Sequence, residues 1–248
     1  MGFTVPADVL DVDLGIAALI ATTSGLIRGF AGFGSALVNA PLFALLFGPL
    51  AAVPMSAIFE FVATVQLLPS VIRDTDWRLN TLMGLAGICG IPVGAYILVN
   101  ADEEIMRRVI AVIVLLLTFM VMKGWRFRGR PSDVTSLGVG AVTGSLLGSV
   151  GIGGMVPGLY LLTATPTAVM ARATVISLGV FLAPVAIAAF VALDVIDETL
   201  IWRMALLLPA FMIASWIGAR SFRLVSERRF RRLVLTFLTV VGFVTLIA

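Results

Sequence analysis

The spacing of charge constrains this chain more than any other feature. Its 248 residues carry only 17 Lys/Arg and 14 Asp/Glu, and 28 of these charges lie in six short clusters. The clusters are Asp8–Asp11–Asp13 and the segments 73–78, 102–108, 123–133, 194–203 and 220–232; only Arg28, Glu60 and Arg172 fall elsewhere. Between the clusters run apolar stretches of about 18 residues or more, long enough to cross a ~30 Å hydrocarbon core. A soluble domain carries about 25% charged residues, whereas this chain carries 12%, with 60% hydrophobic. The pattern is that of a polytopic all-α membrane protein.

Composition removes several chemistries. The chain has no His and a single Cys, Cys89, inside an apolar run. Disulfides, Cys/His metal or haem sites and His-activated nucleophiles are therefore not expected, and neither is a metal or other cofactor. Net charge is +3, but the basic residues flank apolar spans, which reads as topology and not as a nucleic-acid surface. Residues 1–13 lack the basic start and short apolar core of a signal peptide, so no cleavage is expected.

Four spans read from each half: 14–47, 54–72, 79–99 and 105–122, then 134–162, 168–193, 199–219 and 230–247. The leading span of each half is too long, about 51 and 43 Å at 1.5 Å per residue. Each is interrupted by glycine, at Gly29-Phe-Ala-Gly-Phe-Gly34 and Gly148-Ser-Val-Gly-Ile-Gly-Gly154. Glycine loosens a helix, so each leading span reads as two shorter helices joined by a glycine turn. The halves also match each other. Trp77-Arg78 recurs as Trp202-Arg203, Gly94-Ala95 as Gly218-Ala219, Arg107-Arg108 as Arg231-Arg232, and Gly32-Phe-Gly34 as Gly151-Ile-Gly153.

Charge sign then sets the topology. If each broken span crosses once, the repeats are parallel and Lys/Arg divide almost evenly between the two sides. If each goes in and returns, the halves are inverted and 14 of the 17 Lys/Arg face the cytoplasm, as the positive-inside rule requires. The expected fold is two inverted repeats, each a glycine-broken helical hairpin (or helix pair) plus three transmembrane helices. Residues 1–13 would form an extracytoplasmic segment, 14–122 the first repeat, 123–133 a basic cytoplasmic linker and 134–248 the second repeat. The protein would be a multi-pass protein of the cytoplasmic membrane. Full crossings and re-entrant hairpins have the same parity and stay open.

Inverted repeats with broken helices point to secondary transport, because the freed backbone N–H groups meet near the midplane and face a substrate. The limbs after the turns begin near Gly34-Ser35 and Gly154-Met155. A helix N-terminus carries unpaired donors and about half a positive charge, which suits an anion. Candidate substrate-binding residues are Gly32, Phe33, Gly34, Ser35 and Asn39 on the first limb and Gly151, Gly153, Gly154 and Met155 on the second. The competing reading is that the glycines only allow close helix packing.

The stray charges have two readings each. Arg28 and Arg172 either attract the anion or snorkel to the interface as anchors. Thr174 and Ser177, just beyond Arg172, either join the site or back-bond to their own helix. Glu60 stands inside a span, where a carboxylate costs ~2.5–3.5 kcal/mol on insertion scales. It is expected to face a cavity or be protonated, and a carboxylate that gains and loses a proton there could couple proton movement to transport. A hydrogen bond to a neighbouring helix, or to Arg172, is the structural alternative.

The run Gly29-Phe-Ala-Gly-Phe-Gly-Ser-Ala-Leu-Val-Asn-Ala-Pro-Leu42 resembles the first-repeat signature of the sulfite exporter TauE/SafE family. Gly148-Ser-Val-Gly-Ile-Gly-Gly-Met-Val-Pro157 is similar to its second glycine turn, and Ala171-Arg-Ala-Thr-Val-Ile-Ser177 to the following helix start. The second turn departs from the pattern, with Pro157-Gly158 in place of Pro-Leu. The resemblance implies export of small sulfur oxyanions or organosulfonates such as sulfite or sulfoacetate. Another small anion such as a carboxylate is the alternative substrate, and a non-transporting structural subunit the alternative role. An enzyme is not expected, because no nucleophile–base pair or paired acids stand within the spans. A homodimer is compatible with a transporter this small, though no residue specifies one.

Overall fold

The structure is a computed structural model that describes residues 12–125, 127 and 131–221. Among them are nine α-helices: α1 (Val12–Ala31), α2 (Ser35–Phe47), α3 (Pro49–Val71), α4 (Trp77–Asn100), α5 (Glu103–Met122), α6 (Asp133–Val150), α7 (Met155–Ala164), α8 (Ala168–Ala192) and α9 (Glu198–Ser221). Six of them (α1, α3, α4, α5, α8 and α9) are long and apolar enough to cross a membrane, while α2 and α7 are short apolar helices of 13 and 10 residues. The expected last span, 230–247, lies outside the described residues, as do the arginines of the segment 223–232.

Both long leading spans break where glycine permits it. In the first, Gly32 and Gly34 have φ of 81° and 97°, a left-handed conformation that costs other residues more. In the second, Gly151 caps α6 at φ 73°. One boundary differs from expectation. The helix expected to begin at residue 54 begins at Pro49, because Gly48 (φ 79°) ends α2 and Pro49 supplies the first helical position without needing an N–H donor. Pro54 is thus inside α3.

Large apolar side chains face outward as well as inward, unlike those of a soluble bundle. Leu85, Val93, Tyr96, Val112, Ile213 and Trp216 all point outward, whereas glycines line the interfaces. On α6, Gly140, Gly144 and Gly148 lie against the backbone of Met83, Gly87 and Ile91 on α4, closer than a Cβ would allow. On α1, Gly25 and Gly29 lie in the same way against Phe211 and Ser215 of α9. These are one interface built twice. Moving Gly25 and Gly29 forward by 119 gives Gly144 and Gly148; moving Phe211 and Ser215 back by 124 gives Gly87 and Ile91. The reciprocal contacts, Gly218 on Leu26 and Gly94 on Ser145, obey the same two offsets. The offsets are those of the sequence matches, so the duplication is present in the packing.

The pairings also fix relative direction. As residue numbers rise together, α1 accompanies α9 and α4 accompanies α6. α4 likewise accompanies α8, since Asn80 bonds Ser177 while Gly87 lies against Leu182. α3 opposes α8: Thr64 reaches the Ile176 carbonyl, and Thr75, after the end of α3, reaches Ala173.

Candidate functional site

The two glycine turns meet inside the bundle. The Phe33 side chain, from the first turn, packs over the second: its Cβ lies 3.4 Å from where a Gly154 Cβ would stand, and its ring 3.9 Å from the same point on Gly158. Glycine at 158, where the sequence departs from Pro-Leu, therefore leaves room for Phe33. Pro157 falls in the first turn of α7, where proline is tolerated. The two limbs start at Ser35 and Met155, both buried, with Gly34 and Gly154 as N-caps that offer no side-chain hydrogen bond. The first-turn amides of such helices have no intrahelical acceptor.

Beside this junction lies a buried ion pair. Arg28 Nη2 is 2.7 Å from Glu60 Oε1, with the Arg28 side chain 0% and that of Glu60 8% exposed. Arg28 does not reach the surface, so it is not an interfacial anchor, and the partner of Glu60 is Arg28 and not Arg172. The same Nη2 is 3.4 Å from Thr64 Oγ1, whose hydroxyl donates to the Ile176 carbonyl. Arg28 Nε and Nη1 have no hydrogen-bond partner. A Cβ on Gly154 would stand 3.8 Å from both Arg28 Nη1 and Glu60 Oε1. A water-sized cavity opens at this place, lined by Glu60, Leu147, Gly153, Gly154 and Gly179 among others.

Arg172 serves the other turn. Its Nη2 donates to the Gly29 carbonyl at 3.2 Å, and its stem crosses Gly32, where a Cβ would be 2.8 Å from Arg172 Cγ and Nε. Each glycine turn is thus covered by an arginine from the other half, and the two guanidiniums lie within electrostatic reach of one another. Gly151 packs against Ser56 of α3.

Two groups of sequence candidates stand apart from the Arg28–Glu60 pair. Asn39, one turn along α2 from Ser35, is fully buried with neither amide atom hydrogen-bonded. Thr174 and Ser177 face the connection between α3 and α4. Thr174 Oγ1 accepts from the Asp76 N–H at 3.0 Å. Ser177 Oγ accepts from Thr75 Oγ1 at 3.2 Å and from Asn80 Nδ2, and donates back to the Ala173 carbonyl. Sequence reasoning missed Thr64 and Asn80. Thr64 was findable, being four residues beyond Glu60 and so on the same face of its helix; Asn80 carried no comparable signal.

A buried guanidinium with an open edge, beside an uncapped helix start and a glycine that leaves space, can hold an oxyanion. The sulfite exporter TauE/SafE family matches residues 17–245, nearly the whole chain. No curated protein and no solved structure matches it. The chain belongs to the TauE/SafE sulfite exporter family of membrane transporters.

Proposed function

We propose that the protein is a secondary transporter that exports a small sulfur-containing anion, such as sulfite, sulfoacetate or a related organosulfonate, across the cytoplasmic membrane. The observation that carries this reading is the buried Arg28 with its unpartnered edge facing Gly154, the N-cap of α7. The family description, sulfite exporter, supports the sulfur chemistry and the direction in this reading. No Gly-x-x-x-x-Gly-Lys-Ser/Thr loop is present in the sequence to hold ATP, so a gradient is the energy source in this reading.

Alternating access follows from an inverted repeat, and the helix directions support one. α3 opposes α8, which accompanies α4 and hence α6. α9 reverses from α8 through residues 193–197 and accompanies α1, so α1 opposes α6, its counterpart in the other half. α2 is then the return limb between α1 and α3, as α7 is between α6 and α8. At 13 and 10 residues, about 20 and 15 Å long, neither limb spans a full ~30 Å core. That length supports re-entrant hairpins over full crossings.

Purified protein in liposomes, challenged with gradients of sulfite, sulfoacetate, taurine and acetate, tests the reading. Saturable flux of the sulfur oxyanions over acetate is expected. Preference for acetate would reassign the substrate to carboxylates, and absence of saturable flux for every solute would leave a structural subunit.

A further inference from the structure

Building on that transporter reading, we propose that the anion sits between the open edge of Arg28 and the N-terminus of α7 at Gly154, and that it displaces Glu60 from Arg28 as Glu60 takes up a proton. Glu60 is thus an internal substitute for the transported anion.

The Arg28 guanidinium has five N–H donors in a planar fork. Glu60 and Thr64 engage Nη2 alone, while Nε and Nη1, in a side chain 0% exposed, have no partner. Buried donors left unmade are costly, and native proteins rarely keep them without a use. Nη1 is aimed: it lies 3.8 Å from the Cβ position of Gly154. The same residue opens α7, whose first amides have no side-chain cap and whose dipole favours negative charge. One guanidinium nitrogen and one helix start therefore converge at Gly154, beside the water-sized cavity that Glu60, Gly153 and Gly154 line, and the anion takes the room that the Glu60 carboxylate gives up. A tetrahedral or pyramidal oxyanion has enough oxygens to meet both.

Electrostatics favours the exchange. Among the described residues, Glu60 is ion-paired with Arg28 on α1, and Arg28 lies within electrostatic reach of Arg172 on α8, which is engaged with the Gly29 carbonyl. α2, which also packs on α3, carries no charged side chain. The charges of α4, α5, α6 and α9, such as Arg78, Asp133 and Arg203, stand within two turns of a helix end. With Glu60 ionised, an incoming anion would place two negative charges on one guanidinium in a medium of low dielectric. If the Glu60 carboxylate instead takes a proton from water, it becomes a neutral carboxyl and leaves Arg28 to the anion. A monovalent anion and one proton then enter together, and the charge of the site is unchanged.

The test uses the full-length protein in weakly buffered detergent with a pH-indicator dye. The probes are methanesulfonate and sulfate, which exchange no proton with water near neutrality. Thermal stabilisation reads binding. Wild type is expected to take up one proton per bound methanesulfonate. Glu60→Gln should bind with no proton uptake and with an affinity independent of pH. Gly154 has φ −97° and ordinary contact distances around its Cβ position, so Gly154→Ala should melt like wild type. Its methyl fills the seat, so stabilisation by either probe should fall at least tenfold in apparent affinity. Binding without proton uptake in wild type, or undiminished binding by Gly154→Ala, would overturn the proposal. If wild type binds neither probe while sulfite flux succeeds, the seat is wrong and the transporter reading stands. If flux fails as well, both fall.

Discussion

Substituting Gly144 by alanine probes the doubled glycine interface directly. A Cβ there would lie 1.9 Å from the Gly87 carbonyl oxygen on α4, where ordinary contact begins at 3.4 Å. The difference, 3.4 minus 1.9, requires the two backbones to part by about 1.5 Å, beyond the ~0.5–1 Å gap that already forfeits a quarter to a half of each dispersion contact along the seam. Such overpacking typically costs about 1–3 kcal/mol, which for a chain of this size lowers the melting temperature by roughly 2–12 °C. Alanine itself favours a helix over glycine by ~1 kcal/mol, so a control is needed. Gly138 supplies it on the same helix, with nothing within 4 Å of its Cβ position. Thermal unfolding in detergent should rank Gly138→Ala at or above wild type and Gly144→Ala clearly below. Gly25→Ala, whose Cβ would stand 2.5 Å from the Phe211 carbonyl oxygen, should fall in the same direction but by less, because it is the same position in the other half with a milder overlap. If Gly144→Ala were as stable as Gly138→Ala, the packing of α4 on α6 would be refuted, and a Gly25→Ala protein as stable as wild type would refute the symmetry.

Other expectations follow from the same contacts. Arg28→Ala strands Glu60 without its counter-charge and should cost about 3–5 kcal/mol, whereas Arg28→Met combined with Glu60→Gln should recover most of the loss in thermal unfolding; equal destabilisation by the single and double variants would deny the pair. Ser177→Ala removes the acceptor of Thr75 and Asn80 and should lower stability by about 1–3 kcal/mol while leaving anion affinity intact; lost affinity at unchanged stability would move Ser177 into the anion site. In a Cys89→Ser background, Asp194→Cys should react with an impermeant maleimide from outside intact cells and Lys123→Cys only after permeabilisation, and the reverse pattern would invert the topology.

Much of the fold was legible because membrane insertion writes it in one dimension. Charge clusters mark helix ends, and glycine marks the interruption of spans too long for the bilayer. The Pro49 start was less legible, since only a single glycine separates α2 from α3 and the run reads as continuous apolar sequence. The candidate site was legible in its backbone and not in its side chains. Gly34 and Gly154 could be placed at limb starts from the glycine runs alone. The pairing of Arg28 with Glu60 joins two helices 32 residues apart in sequence and depends on how they are rotated, which no periodicity encodes when nearly every position is apolar. For the same reason Thr174 and Ser177 looked like neighbours of Arg172, whereas Asp76 and Asn80 claim them.

The central claim is that an anion passes through the space between Arg28 and the start of α7. The most direct measurement is sulfite flux into liposomes by wild type and by Gly154→Ala at matched, verified folded protein. Saturable flux in wild type, inhibited by sulfoacetate, and its loss in Gly154→Ala are expected. Flux through Gly154→Ala equal to that of wild type would contradict the claim.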